Sequence, residues 1–129
     1  LKKFFSFFLL MIISFGVFST TVEAATLASI TAKRDGQSHS VTFTGNGKYM
    51  RIKCVHNKPP TSSEKLGTAC KLEKDTLRPE APLVEWFLSD PSSKEGDVFL
   101  SKGVKYRLHA EVYPYSLAGT TLTATIFDK

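Results

Sequence analysis

The stretch 104-VKYRLHAEVY-113 decides the fold. Val104, Tyr106, Leu108, Ala110 and Val112 fall on one side of an extended chain, and Lys105, Arg107, His109 and Glu111 on the other. Successive strand residues point to opposite faces, so this run predicts a strand with one packed face and one wet face. The same alternation recurs outward from it. Residues 120–127 put Leu122, Ala124 and Ile126 on one face and Thr121, Thr123 and Thr125 on the other, and residues 97–100 form a short strand before the turn at Ser101-Lys102-Gly103. Residues 83–88 predict a strand with Val84, Trp86 and Leu88 inward, Trp86 being a core anchor. Residues 48–56 predict another with Met50, Ile52 and Cys54 inward. Residues 38–44 carry Val41 and Phe43 inward with His39 in phase, and residues 28–33 complete the set.

Turn chemistry separates these runs. Asp35-Gly36 is a tight-turn pair, and Gly45-Asn46-Gly47 predicts a hairpin between 38–44 and 48–56. Residues 57–67, with Pro59-Pro60 and Thr61-Ser62-Ser63, read as an exposed loop, and 89–96 as a connection. Residues 71–82 carry charges without clear periodicity and are expected to hold one turn of helix. No long segment keeps a helical apolar stripe. About seven short, half-buried strands indicate an all-β antiparallel sandwich of immunoglobulin-like or jelly-roll connectivity, with a small β-barrel as the alternative.

The beginning of the chain bears on where this domain works. Lys2 and Lys3 precede an apolar run over 4–18, and Val22-Glu23-Ala24 offers compact residues at the positions a signal peptidase reads. Residues 1–24 are therefore read as a secretory signal peptide cut after Ala24, and 25–129 as a single exported domain, secreted or wall-associated. The apolar run falls short of the ~20 residues of a comfortable membrane span, so membrane contact is expected only through an uncleaved signal. Leu1 fits a non-AUG start, as in bacterial genes. Two cysteines, Cys54 and Cys70, predict one disulfide in an oxidising compartment.

Seventeen Lys and Arg against twelve Asp and Glu leave a formal net charge of +5, which favours encounter with anionic partners. If the strands at 48–56 and 104–113 share a sheet, Tyr49, Arg51 and Lys53 join Lys105, Arg107 and His109 in a basic face suited to carboxylate or phosphate. Tyr113 and Tyr115 flank Pro114 in a turn where their rings can be exposed for sugar stacking or a protein partner. Motifs of nucleophilic catalysis and phosphate-binding loops are absent; Ser62 and Lys65 make an S-x-x-K spacing in a non-helical setting. His39, His56 and His109 lack the spacing of a metal site, and no cofactor is expected. Asp90, Glu95 and Asp97 offer oxygens to calcium, but Lys94 lies among them, so no metal site is assigned.

The strand at 84–88, the Ser/Asp-rich loop after it and the Gly103-preceded Val-Lys-Tyr-Arg-Leu strand together resemble the second half of small carbohydrate-binding or pre-peptidase-type sandwiches of bacterial secreted proteins. The leading expectation is a non-enzymatic binding domain for an anionic wall polymer, a polysaccharide or another protein. Nucleic acid is not expected as a partner. The alternative is an extracellular protease-type inhibitor using the 58–69 loop, with Pro59 and Pro60 stiffening it and Lys58, Lys65 and Leu66 exposed for recognition. A small secreted hydrolase or toxin is the third reading.

Overall fold

The computed structural model describes residues 25–57, 67–78, 80–89, 92–116 and 118–128. The signal segment, most of the 58–69 loop and Asp90 lie outside the described residues. Within them the chain forms eight strands: β1 (Thr26–Lys33), β2 (Ser38–Thr44), β3 (Lys48–Asn57), β4 (Thr68–Lys74), β5 (Val84–Leu88), β6 (Ser92–Leu100), β7 (Lys105–Val112) and β8 (Thr121–Phe127). They pair antiparallel in two sheets, ordered β1-β8-β3-β6 and β2-β7-β4-β5.

That order is jelly-roll connectivity. β4 and β5 are consecutive strands that share a ladder, whereas β1/β2, β3/β4, β5/β6 and β7/β8 each divide between the sheets. No ladder joins the sheets among the described residues, so the molecule is a sandwich rather than a closed barrel. The inward residues of both sheets meet in one core. Ile52, Leu72, Leu100, Leu108, Leu122 and Ile126 are fully buried, and the β7 series Tyr106, Leu108, Ala110 and Val112 lies inside as its alternation predicts. Cys54 on β3 and Cys70 on β4 form the predicted disulfide across the sheets, with their Cα atoms 6.6 Å apart.

Three local expectations are corrected. Gly45-Asn46-Gly47 does not close a hairpin but arches the chain from one sheet to the other. Gly45 donates its N–H to the Val104 carbonyl at 2.8 Å and accepts from Gly103 at 3.1 Å, while Gly47 donates to Leu100 at 2.8 Å. The arch is thus bonded to the β6–β7 connection, and a methyl group at Gly45 would overlap the Ser101 carbonyl and the Tyr106 ring. Alternation cannot distinguish arch from hairpin, because Phe43 and Met50 face the same core from either sheet.

Within 71–82, where a helical turn is expected, the described residues after 74 are irregular and residues 71–74 are the end of strand β4. Its inward residues are Thr68, Cys70 and Leu72, all fully buried, and only Leu72 reads as aliphatic in sequence. Residues 92–96 belong to β6, an edge strand paired only with β3. Ser92 through Glu95 are exposed on both sides, so they carry no alternation to read. Gly96 then leaves room for the Trp86 ring, whose nearest carbon would stand 3.3 Å from an added Cβ. Trp86 packs against the core from β5, in its expected anchoring role.

Candidate functional site

The wet face of the β2-β7-β4-β5 sheet is built in cross-strand rows. The ladder registers set Ser38, Glu111, Ala69 and Phe87 side by side, one from each strand, and set Ser40, His109, Lys71 and Glu85 in the next row. Both rows point outward because their neighbours Cys70, Ala110 and Leu88 point into the core. Adjacent strands lie about 4.8 Å apart, so a row spans roughly 14 Å. Ala69 is the low point of the first row, between Glu111 and Phe87. A depression of about 150 Å³ forms there, bounded by Lys71, His109 and Glu85 on one side and by Tyr113 on the other.

Tyr113 is fixed at this rim by the turn after β7. Its N–H donates to the Gly67 carbonyl at 3.1 Å, the Ser116 hydroxyl donates to the same carbonyl at 2.9 Å, and the Ser116 N–H donates to the Tyr113 carbonyl at 2.9 Å. Tyr113 and Tyr115 stack with ring centroids 5.5 Å apart and planes within 10°. Gly67 permits this packing, since a Cβ there would stand 2.7 Å from the Tyr113 ring. Partial burial, the Glu111 carboxylate, and then Tyr115 and Glu85 push the Tyr113 hydroxyl above its ordinary pKa. Phe87, on the outward parity of edge strand β5, is 59% exposed.

Charges on this face are sorted unevenly. Glu73 collects two basic side chains, with His109 Nε2 2.6 Å from one carboxylate oxygen and Lys71 Nζ 3.7 Å from the other. Desolvation pushes the Glu73 carboxyl up, but the His109 hydrogen bond and the Lys71 charge outweigh it and hold the group below the usual carboxylate value. Arg107 donates to Asp75 at 2.9 Å. Glu85 and Glu111 make no ion pair among the described residues.

The expected basic face does not form. Tyr49, Arg51 and Lys53 stand on the outer face of the β1-β8-β3-β6 sheet, whereas Lys105, Arg107 and His109 stand on the outer face of the opposite sheet. Two strands of like parity combine their polar faces only if they share a sheet, and β3 and β7 do not. Arg51 lies 3.3 Å from Asp97 and 3.7 Å from Glu95, and Lys53 lies 3.3 Å from Glu95. Glu95 and Asp97, offered for calcium, thus answer cross-strand cations. Among the described residues no three His, Cys, Asp or Glu side chains gather to hold a metal ion. Tyr49 packs on Phe99 with centroids 5.2 Å apart.

The histidines do not converge on one site. His39 is half-exposed against Asp35 at 2.7 Å, and the Gln37 N–H followed by His39 holds that carboxyl low. His56 is buried with Nδ1 2.7 Å from the Thr68 hydroxyl. Of the sequence-predicted binding residues, only His109 and Tyr113 line the depression. Lys58, Pro59, Pro60, Lys65 and Leu66 lie outside the described residues. Phe87, Ala69, Lys71, Glu85 and Ser38 were not expected in a site. Phe87 carried a readable signal, an aromatic residue out of phase with Val84, Trp86 and Leu88. No protein-family model matches the chain, and no curated protein matches it. The disulfide is compatible with an extracellular protein.

Proposed function

We propose that this chain is an exported, non-enzymatic binding domain that holds a saccharide in the trough on its β2-β7-β4-β5 face. The observation that carries this reading is the pairing of an outward Phe87 ring with Tyr113 across an Ala69 floor, among Ser38, Lys71, Glu85, His109 and Glu111. A sugar ring has one apolar C–H face and a rim of hydroxyls. The aromatic rings suit the first, and the carboxylates, hydroxyl and amine suit the second. The floor strand β4 is engaged in ladders on both sides, so an extended peptide has only the open edge of β5 for strand addition, beyond the Ala69 floor.

Calorimetric titration with a panel of soluble oligosaccharides tests this. Phe87→Ala and Ala69→Leu should each weaken binding at least tenfold while leaving the unfolding midpoint within a few degrees, since both side chains point away from the core. Unchanged affinity in both variants would move the site off this face. A second reading has one supporting observation: the Cys54–Cys70 bridge ties together the strands that flank residues 58–66. Under it, that segment enters the cleft of an extracellular protease. Protection of a protease that is lost in a Lys65→Ala/Leu66→Ala variant would favour it.

A further inference from the structure

Within the trough, acid and aromatic side chains recur as couples two residues apart on one strand face. Glu85 and Phe87 form one couple on β5, and Glu111 and Tyr113 form the other at the end of β7. β4 runs between them and contributes the small Ala69. The couples are therefore two strand spacings apart, about 10 Å. Each sets a carboxylate and a ring on one strand face at i and i+2, roughly 7 Å apart along the chain, a spacing from which an ammonium group can meet both the anion and the ring quadrupole.

The disposition of cations sharpens this. Lys71 and His109, the basic residues nearest these carboxylates, both turn to Glu73, leaving Glu85 and Glu111 without an ion pair among the described residues. Burial first, and then Glu111 together with Tyr115 and Glu85, raise the Tyr113 hydroxyl pKa, so both carboxylates act at the trough. A chain with net charge +5 thus keeps two uncompensated carboxylates at its candidate binding surface.

Resting on the saccharide reading above, we infer that the ligand is an amino-sugar chain with free amines, whose ammonium groups on separate rings meet the Glu85–Phe87 and Glu111–Tyr113 couples. The repeat of the couple selects a polymer over a single ring, because a second contact made by the same chain is intramolecular and adds avidity. Long-range electrostatics oppose this ligand, since a positive protein repels a polycation. Selective capture therefore has to come from the local couples.

The test compares a soluble glucosamine oligomer, its fully N-acetylated counterpart and a neutral glucan oligomer of equal length, by calorimetry at mildly acidic pH where sugar amines are protonated. The free-amine oligomer should bind at least tenfold tighter than the other two. Glu85→Gln and Glu111→Gln should each remove part of that preference for the aminated over the acetylated chain, and the double variant all of it. Equal affinity for aminated and acetylated chains overturns the inference and leaves the saccharide reading standing. Binding of none of the three removes the saccharide reading itself. Binding of a lysine-rich peptide in preference to all three oligomers makes the occupant a protein and also overturns the inference.

Discussion

Breaking the Cys54–Cys70 bridge should cost this fold about 3 kcal/mol, and the value follows from where the two residues sit. The bridge closes a loop with a sequence separation of 16, and both cysteines are fully buried between the sheets. In the chain-entropy account, a loop of that size removes about 3 kcal/mol of freedom from the unfolded ensemble. Small domains have only about 5–15 kcal/mol of net stability, so the loss is a large share of the total. It corresponds to a fall of roughly 12–24 °C in Tm for a domain of this size. Equilibrium urea unfolding of the wild type and of the Cys54→Ala/Cys70→Ala variant measures it. The variant should also show a larger m-value, because its unfolded chain expands further. Ala69 and Lys71 flank Cys70 on the opposite side of β4, so the folded variant should keep any oligosaccharide affinity found for the wild type within a few-fold. A stability difference below 1 kcal/mol with an unchanged m-value would refute the argument from unfolded-state constraint.

Tyr106→Phe should destabilise by about 1–2 kcal/mol, because the half-buried Ser101 N–H donates to the hydroxyl of the buried Tyr106 at 2.8 Å and would be left without that acceptor; denaturant unfolding reads it. Gly45→Ala should cost about 2–3 kcal/mol by forcing the arch away from the Ser101 carbonyl and the Tyr106 ring, whereas Gly36→Ala, with nothing within 4 Å of the new methyl, should cost less, about 1–2 kcal/mol from its φ of +74°. The Glu73 carboxyl has a lowered folded-state pKa, so its contribution is present above the unfolded value and is lost as pH falls through the folded one. Glu73→Gln should therefore cost up to about 1 kcal/mol at neutral pH, and the difference from wild type should vanish well below the ordinary carboxylate range; urea unfolding at the two pH values checks the sign.

The buried half of this molecule was largely legible. Alternation on β7 and β8 named Tyr106, Leu108, Val112, Leu122 and Ile126 as inward, and every one is buried. The cysteine count led to the bridge that the structure contains. What failed has a common physical origin, since apolar periodicity reports contact with the core and nothing else. β4 buries Thr68 and a half-cystine where an aliphatic run was sought, and the start of edge strand β6 buries almost nothing. The glycines at 45 and 47 reported a change of direction correctly, but the partners of their backbone groups lie at 100–104, far away in sequence.

Sheet membership, which periodicity does not encode, also explains why the candidate site had no motif. In a jelly roll, consecutive strands mostly cross between layers, so one outer face is assembled from separated pieces of chain. Ser38, Ala69, Lys71, Glu85, Phe87, His109, Glu111 and Tyr113 come from all four strands of one sheet and the turn beyond β7, and ladder register alone makes them neighbours. The same rule dismantles the basic face, because Arg51 and Arg107 have matching parity but belong to opposite layers. It also separates charge by layer. Arg51 and Lys53 meet Glu95 and Asp97 across the β3–β6 ladder, while on the other sheet Lys71 and His109 meet Glu73. Among the described residues, Glu85 and Glu111 on the β2-β7-β4-β5 face make no ion pair. If the trough is the binding surface, the sign of its ligand follows from the charges left over after the ladders have paired the rest, and not from the net charge of the whole chain.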